Sequence, residues 1–258
     1  MQRVSRHRRR WPIRLLGRAC YLFYRGYENR NFDSASNGEE WCLRSLSSAD
    51  IRCVLDVGAN IGDWTRLARQ YFPAASIHSF EIVPQNMEQL RRNAGQLPGV
   101  TLNGVGLSDT NGTVSIHYSS AAHFRASAYV MPDFSTNEVL QAQVIRGDDY
   151  AQRNNLDRID FLKIDVEGME GAVLRGFQRC LEEKRIRIIQ FEYNTTNIVS
   201  GFLLRNAYQM LEPLGYSIGK LYPTYVDFRP YDLAHEDFCG PNFIAIRKDD
   251  AEVRALLE

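Results

Sequence analysis

The chain has 258 residues, 44% of them hydrophobic, enough for one sizeable core and too few for two full domains. Its 31 basic and 31 acidic side chains cancel, so the body has no general attraction for polyphosphate. The five cysteines, Cys20, Cys42, Cys53, Cys180 and Cys239, form no CxxC pair, which argues against a zinc knuckle or a disulfide framework and fits a reducing cytoplasm.

The charge is unevenly spread. Residues 1–30 hold nine arginines and a single acid, Glu28, a net of +8, which leaves −8 on the rest. Trp11, Ile13, Leu15, Leu16, Ala19, Leu22 and Phe23 lie among Arg14, Arg18 and Arg25. Those arginines break up any secretion signal or membrane span and predict a basic amphipathic helix. Such a helix suits an anionic membrane surface, so the expectation is a cytoplasmic protein held peripherally at the inner face of a membrane. A frayed terminus followed by a helix packed on the domain edge is the alternative. Residues 1–45 are read as this arm and helix, 46–250 as the domain and 251–258 as a tail.

From Ile51 onward short apolar strands alternate with helices. Residues 51–58 read as a buried strand closed by glycine, 63–72 as a helix stopped by Pro73, 76–82 as a strand, and 84–96 as a helix begun by Pro84. Residues 100–108 and 112–119 read as strands around a turn at Asp109 to Gly112. The stretch 119–143 lacks a period and reads as a long loop suited to substrate contacts. A buried strand follows at 159–168, then a helix from about Glu170 to Lys184, a strand at 185–194 and a helix around 198–213. Two closing strands, GYSIGKLYP and PNFIAIRK, have no helix between them. The alternation predicts an α/β, doubly wound, mostly parallel sheet with an antiparallel edge strand.

Ligands of such sheets bind at the carboxyl ends of the strands. Four predicted strands end in acids or amides there: Asp56, Glu81, the pair Asp165 and Glu167, and Glu192 with Asn194. The turn from Asp56 through Gly58, Ala59 and Asn60 to Gly62 lets backbone pass close to a ligand, and its spacing departs from the GxGxxG of dinucleotide folds. Glu81 is positioned to accept hydrogen bonds from vicinal ribose hydroxyls, and its alternative role is a helix N-terminal acid. Ser108 and Asp109 fit an adenine contact or a simple turn equally well. His78, His117 and His123 show no metal-ligand spacing.

The turn pattern D-x-G-x-N-x-G resembles the first motif of class I methyltransferases. FLKIDVEGMEGAVLRG (161–176), with DVGANIG, FEIVP, GLSDTNGTVSIH, QVIRGDDY and FEYN, is similar in order to the FkbM family of methyltransferases. The resemblance implies a class I (Rossmann-like) fold, S-adenosylmethionine as donor and an oxygen acceptor on a sugar, glycolipid or polyketide-type metabolite. It gives Asp56 the donor's ammonium, with Gly58 and Gly62 making room for the methionine part. An alcohol must lose its proton during attack, so a carboxylate base or a carboxylate-held metal is needed. Asp165 is the first choice as base. Glu167 and Glu192 would assist as hydrogen-bond acceptors or as oxygen ligands to Mg²⁺, and Asn194 would orient the acceptor. Lys163 paired with one acid and Glu170 as a helix N-terminal acid are the purely structural alternatives. A nucleic-acid methyltransferase, another small-molecule methyltransferase, and a non-catalytic cofactor-binding module at a membrane are the competing functions. The [DNS]-P-P-[YFW] motif of base N-methylation is absent, so no specific nucleic acid is expected.

Overall fold

The computed structural model describes residues 2–118, 126–129 and 138–258. Three helices come first: α1 (Gln2–Arg6), α2 (Trp11–Tyr27) and α3 (Glu39–Ser45). Then β1 (Cys53–Val57), α4 (Asp63–Tyr71), β2 (Ser76–Phe80), α5 (Pro84–Ala94) and β3 (Val100–Asn103) alternate as the apolar periodicity dictates. A run of strands follows, β4 (Gly106–Ser108), β5 (Gly112–Tyr118), β6 (Ala126–Ser127) and β7 (Glu138–Arg146), leading into α6 (Gly147–Arg153). Alternation resumes with β8 (Ile159–Ile164), α7 (Glu170–Gly176), α8 (Gln178–Glu182), β9 (Ile186–Glu192), α9 (Thr196–Ser200) and α10 (Leu204–Leu211). The chain ends on β10 (Tyr216–Tyr222), β11 (Tyr225–Phe228), β12 (Asn242–Arg247) and α11 (Ala251–Leu257).

Eight strands form the main sheet in the order β11-β10-β12-β9-β8-β1-β2-β3. The five from β9 to β3 run parallel, and β12, β10 and β11 add antiparallel pairs at one side. The chain leaves β1 toward β2 and β3, then returns to place β8 on the other side of β1. That reversal opens a crevice above the carboxyl ends of β1 and β8. Side chains alternate between the two faces of these strands. Leu55, Leu162 and Ile189 pack under α6, α7, α8 and α10, through Tyr150, Leu174, Leu181 and Leu204. Val54, Phe161 and Ile188 pack under α3, α4 and α11, through Leu43, Trp64 and Val253. The doubly wound reading is therefore right, and its antiparallel side is broader than one edge strand.

Several boundaries differ from expectation. The strand expected over 100–108 breaks after Asn103. Its first half stays in the main sheet, and β4 joins a second sheet of order β4-β7-β5-β6 that the sequence reading did not foresee. Residues 138–143, expected in a loop, open β7. Leu140, Ala142 and Val144 alternate there with exposed Gln141 and partners across β5, a period of two that was readable. The remainder of 119–137 lies outside the described residues apart from β6 and Ala128–Tyr129.

The helix expected over 170–184 divides at Phe177 into α7 and α8. A Cβ on Gly176 would stand 2.0 Å from the Ser108 carbonyl oxygen, so glycine is what brings α7 against β4. The helix expected over 198–213 likewise breaks at Gly201. The segment read as a tail carries α11. Asp250 caps it by accepting from the Val253 N–H at 3.1 Å and binds Arg187 of β9 at 3.1 Å, while Val253 and Leu257 are fully buried.

Phe177 is wholly buried, with its ring against Gly147 at the start of α6. Phe177→Ala is expected to lower unfolding free energy by about 3–5 kcal/mol, read as a lower urea midpoint at unchanged slope. A shift under about 1 kcal/mol would mean the site collapses to fill the void.

Candidate active site

The first turn brings two strand tips together. Gly58 has φ +84°, and a Cβ there would lie 1.8 Å from the Asp165 carbonyl oxygen. Only glycine lets β1 approach the end of β8 this closely. The Gly58 and Ala59 N–H groups both donate to the Phe80 carbonyl at the tip of β2, at 3.1 and 2.8 Å. Gly62, also at positive φ, faces elsewhere: its Cβ would strike Leu90, so it serves the contact between α4 and α5.

Glu81 follows β2 directly and stitches this turn to the next. Its Oε2 accepts from Asn60 N–H at 2.9 Å, and Oε1 accepts from Val83 N–H at 2.7 Å. Burial pushes its carboxyl up to about 7, against the pull of those backbone donors.

Below the rim lies a buried charge cluster. Lys163 Nζ sits 3.0 Å from Asp165 Oδ2, 3.5 Å from Asp56 Oδ1, and 5.7 Å from the Trp64 ring centroid. Burial alone would lower the lysine pKa, yet Asp165, Asp56 and Glu39 together raise it and keep it charged. Asp56 is 0% exposed and accepts from Thr65 Oγ1 at 2.7 Å. Its carboxylate thus faces Lys163 and Thr65, and burial raises its pKa.

Beyond Lys163 the rim turns acidic. Glu170 is fully buried and accepts from the N–H groups of Val166 and Gly168 at 3.2 and 3.1 Å. Burial pushes it up to about 7. Glu192, at the tip of β9, is 9% exposed, and its Oε2 has no hydrogen-bond partner. Burial, and then the charges of Asp165, Glu167 and Glu170, hold its pKa well above the usual carboxylate range.

These groups edge a cavity of about 360 Å³, a small-molecule size. Val57, Phe80, Leu107, Ile116, Val144 and Met169 give it apolar walls, several of them from the second sheet, which roofs the strand tips. Gly58, Asn60, Glu81, Asp165, Glu167 and Glu192 line it as the sequence reading expected. The other expected site residues do not. Asp56 lies beneath the rim. Ala59 is buried in the turn, and Gly62 packs on Leu90. Ser108 is 2% exposed beside Asp109, which binds Arg175 at 2.9 Å. Asn194 accepts from Thr196 N–H at 2.7 Å and its side chain hydrogen-bonds Glu192, so it meets the site through that acid.

The sequence reading missed Phe32, Asn86 and the roof residues. Asn86 had a signal, standing in the first turn of α5 just after Glu81, whereas Phe32 had none. His78 is a satisfied core histidine, 2.7 Å from the Tyr150 hydroxyl, and His123 lies outside the described residues. Among the described residues no three of His, Cys, Asp or Glu are grouped to hold a metal ion, so the acids do not supply the expected Mg²⁺ ligand set.

Three buried acceptors in the cavity wall have no partner: Asn60 Oδ1, Asn86 Oδ1 and Glu192 Oε2. Buried acceptors without donors are costly. A ligand rich in N–H and O–H groups with a flat apolar part satisfies both sets of walls, and a nucleoside with an amino-acid tail is such a ligand. A second groove of about 580 Å³ lies beside Gly168, between the cavity-lining Glu167 and Met169. Tyr129, Phe202, Gln178, Asn206 and Gln209 line it, rings beside amides.

The match to known proteins agrees with this geometry. The family model described as the methyltransferase FkbM domain matches residues 56–218. "Hexuronic acid methyltransferase AglP" of Haloferax volcanii is 28% identical over 178 residues, 64% of this chain and 71% of that protein. "Methyltransferase 1" of Beauveria bassiana is 26% identical over 156 residues, 52% of this chain and 62% of that protein. Among solved structures, precorrin-6y C5,15-methyltransferase from Geobacter metallireducens has a TM-score of 0.44 at 16% identity, covering 81% of this chain and 86% of that one.

The raised carboxyl of Glu170 makes stability pH-dependent. The unfolded glutamate ionises near its ordinary pKa of about 4.3, while the folded one holds its proton to about 7. Its share of stability is therefore lost as pH rises through that window and is level above it. Glu170→Gln removes the ionisation, so its stability relative to wild type should improve from pH 4.5 to pH 7 (roughly the window those values set) in urea titrations. A difference that stays constant with pH would show that Glu170 does not titrate there.

Proposed function

The chain belongs to the FkbM family of methyltransferases and is an S-adenosylmethionine-dependent methyltransferase, and from that premise we propose that it methylates a hydroxyl of a sugar, glycan or glycolipid. The observation that carries this reading is Glu192: a buried carboxyl with a raised pKa and an unpartnered oxygen, opening into the cavity among further acids. An amine acceptor needs no such base. An alcohol does, because its proton must leave as its oxygen attacks.

S-adenosylmethionine, when bound, supplies a methyl group on a positively charged sulfur, already activated for displacement. Glu81 would hold the ribose hydroxyls, and Asn60 and Asn86 would accept from the donor's N–H groups. The apolar roof from Leu107 to Val144 would cover the base and keep water out. On the acceptor side, Glu192 Oε2 would take the hydroxyl proton as the acceptor oxygen bonds to the methyl carbon and the carbon–sulfur bond breaks to leave a neutral thioether. Asp165, the first choice from sequence, is tied to the Lys163 ammonium 3.0 Å away, so its charge is already engaged. Its role becomes electrostatic, on the side of the cavity that meets the sulfonium. Glu167 contributes to the acidic field that keeps Glu192 basic.

A sugar acceptor is supported by the name of the hexuronic acid methyltransferase among the relatives. The groove beside Gly168 adds rings for sugar faces and amides for hydroxyls. The same reading keeps the enzyme in the cytoplasm, peripheral to the inner face of a membrane, where glycolipid acceptors are presented.

Incubation with S-adenosylmethionine labelled in its methyl group, against hexuronides, nucleotide sugars, glycolipid extract and RNA, tests the acceptor class. Label recovered as an O-methyl sugar after hydrolysis is expected, and label only in RNA refutes the reading. Glu192→Gln should lower turnover by about 10²–10⁴-fold while leaving affinity for S-adenosylhomocysteine unchanged by calorimetry. Asp165→Asn should retain a larger share of turnover, and the opposite order would return the base role to Asp165. Glu81→Ala should weaken the same calorimetric affinity by about 1–3 kcal/mol; an unaltered affinity would leave Glu81 a purely structural acid.

A further inference from the structure

The basic arm has no part in the chemistry above, yet it is rooted beside it. Helix α2 runs for 17 residues with none of them buried. At 100° per residue Arg14, Arg18 and Arg25 fall on one narrow stripe. Trp11, Leu15 and Leu22 form a second stripe, and Leu16, Phe23 and Tyr27 a third beside it. These six are between 58% and 76% exposed. One broad apolar face thus stands in solvent with a row of guanidinium groups along its margin. No helix among the described residues is long and apolar enough to cross a membrane.

The C-terminal end of α2 is clamped to the body. Tyr24 donates to Asp237 at 3.1 Å. Just past the helix, buried Glu28 accepts from Lys220 at 2.9 Å and from the Tyr222 hydroxyl at 3.2 Å. Asn29 donates to the Asn37 and Leu221 carbonyls at 2.8 and 3.0 Å. Phe32 then lines the cavity while remaining 54% exposed. The helix therefore ends shortly before an exposed side chain that lines the cavity.

We propose that α2 lies in the headgroup layer of an anionic bilayer and holds the cavity mouth against it, so that the acceptor hydroxyl belongs to a lipid-anchored glycan. The acceptor half of this inference rests on the methyl-transfer reading; the docking half does not. An apolar face bounded by arginines matches a surface with acyl chains below and phosphates above. Against a nucleic acid Leu15, Leu16 and Leu22 would stay uncovered, whereas a bilayer buries them together with Trp11, Phe23 and Tyr27. The arm's excess positive charge is carried by Arg6, Arg8, Arg9 and Arg10 as well, all exposed, and these extend the same attraction.

The test is co-sedimentation of the full chain with vesicles of phosphatidylcholine, with and without phosphatidylglycerol. Binding should be about a hundredfold tighter with the anionic lipid, on the order of what three cationic side chains near such a surface supply, and it should weaken with salt. The paired change Leu15→Glu and Leu22→Glu should abolish binding. Affinity for S-adenosylhomocysteine should not change, and methyl transfer to a glycolipid extract should fall. Equal binding to neutral vesicles, binding that survives the paired change, tighter binding to single-stranded RNA, or self-association removed by the same change would each overturn the docking. Intact vesicle binding together with no affinity for S-adenosylhomocysteine would instead sink the methyl-transfer reading and leave the docking in place. Vesicle binding with unaltered glycolipid methylation by the paired variant would refute the lipid-anchored acceptor.

Discussion

The site is organised by one buried ammonium. Lys163 stands in a central strand of the main sheet, and the carboxylates of Asp56, Asp165 and Glu39 gather around it from β1, β8's own extension and α3. Removing Lys163 would leave the buried Asp56 and Glu39 carboxyls without their cation, at a cost of several kcal/mol. The cluster is thus obliged to stay complete, and completeness fixes how β1 and β8 sit at their tips. The close approach at Gly58 depends on that register.

The same ammonium divides the acids into two groups. Asp56 and Asp165 pair with it and act as framework, while Glu192 and Glu170 make no ion pair with it; burial raises the carboxyls of Asp56, Glu170 and Glu192 alike. A single chemical type of side chain thereby fills two roles, and distance from Lys163 separates them. The sequence reading saw the acids and could not see this division, because it depends on which carboxylates point inward. Asp56 illustrates the limit: its motif position suggested a ligand contact, and its side chain turns instead to Thr65 and Lys163.

Much of the fold was legible for a simple reason. The strands of the main sheet are buried on both faces and read as unbroken apolar runs, while the helices between them carry Pro84 or glycine at their ends. What escaped notice was the second sheet, whose strands are half exposed, and whose first member is short and separated from β3 by only two residues. Splits such as α7 from α8 escaped because the break at Phe177 answers a tertiary contact, the approach of Gly176 to Ser108, and not a local signal. Cavity-lining residues near the first turn were identified from their place at strand ends. Phe32 was not, since nothing in its neighbourhood marks a residue that reaches the cavity from another part of the chain.

The roof formed by β4 to β7 is a single continuous stretch of chain inserted between two strands of the main sheet. Among the described residues it contributes apolar surface to the cavity and none of the carboxylates at its chemical end. The cover of the cavity and the acids at the strand tips are therefore carried on separate pieces of sequence. Side chains of the roof can thus change the shape of the covered space without touching the residues at the strand tips.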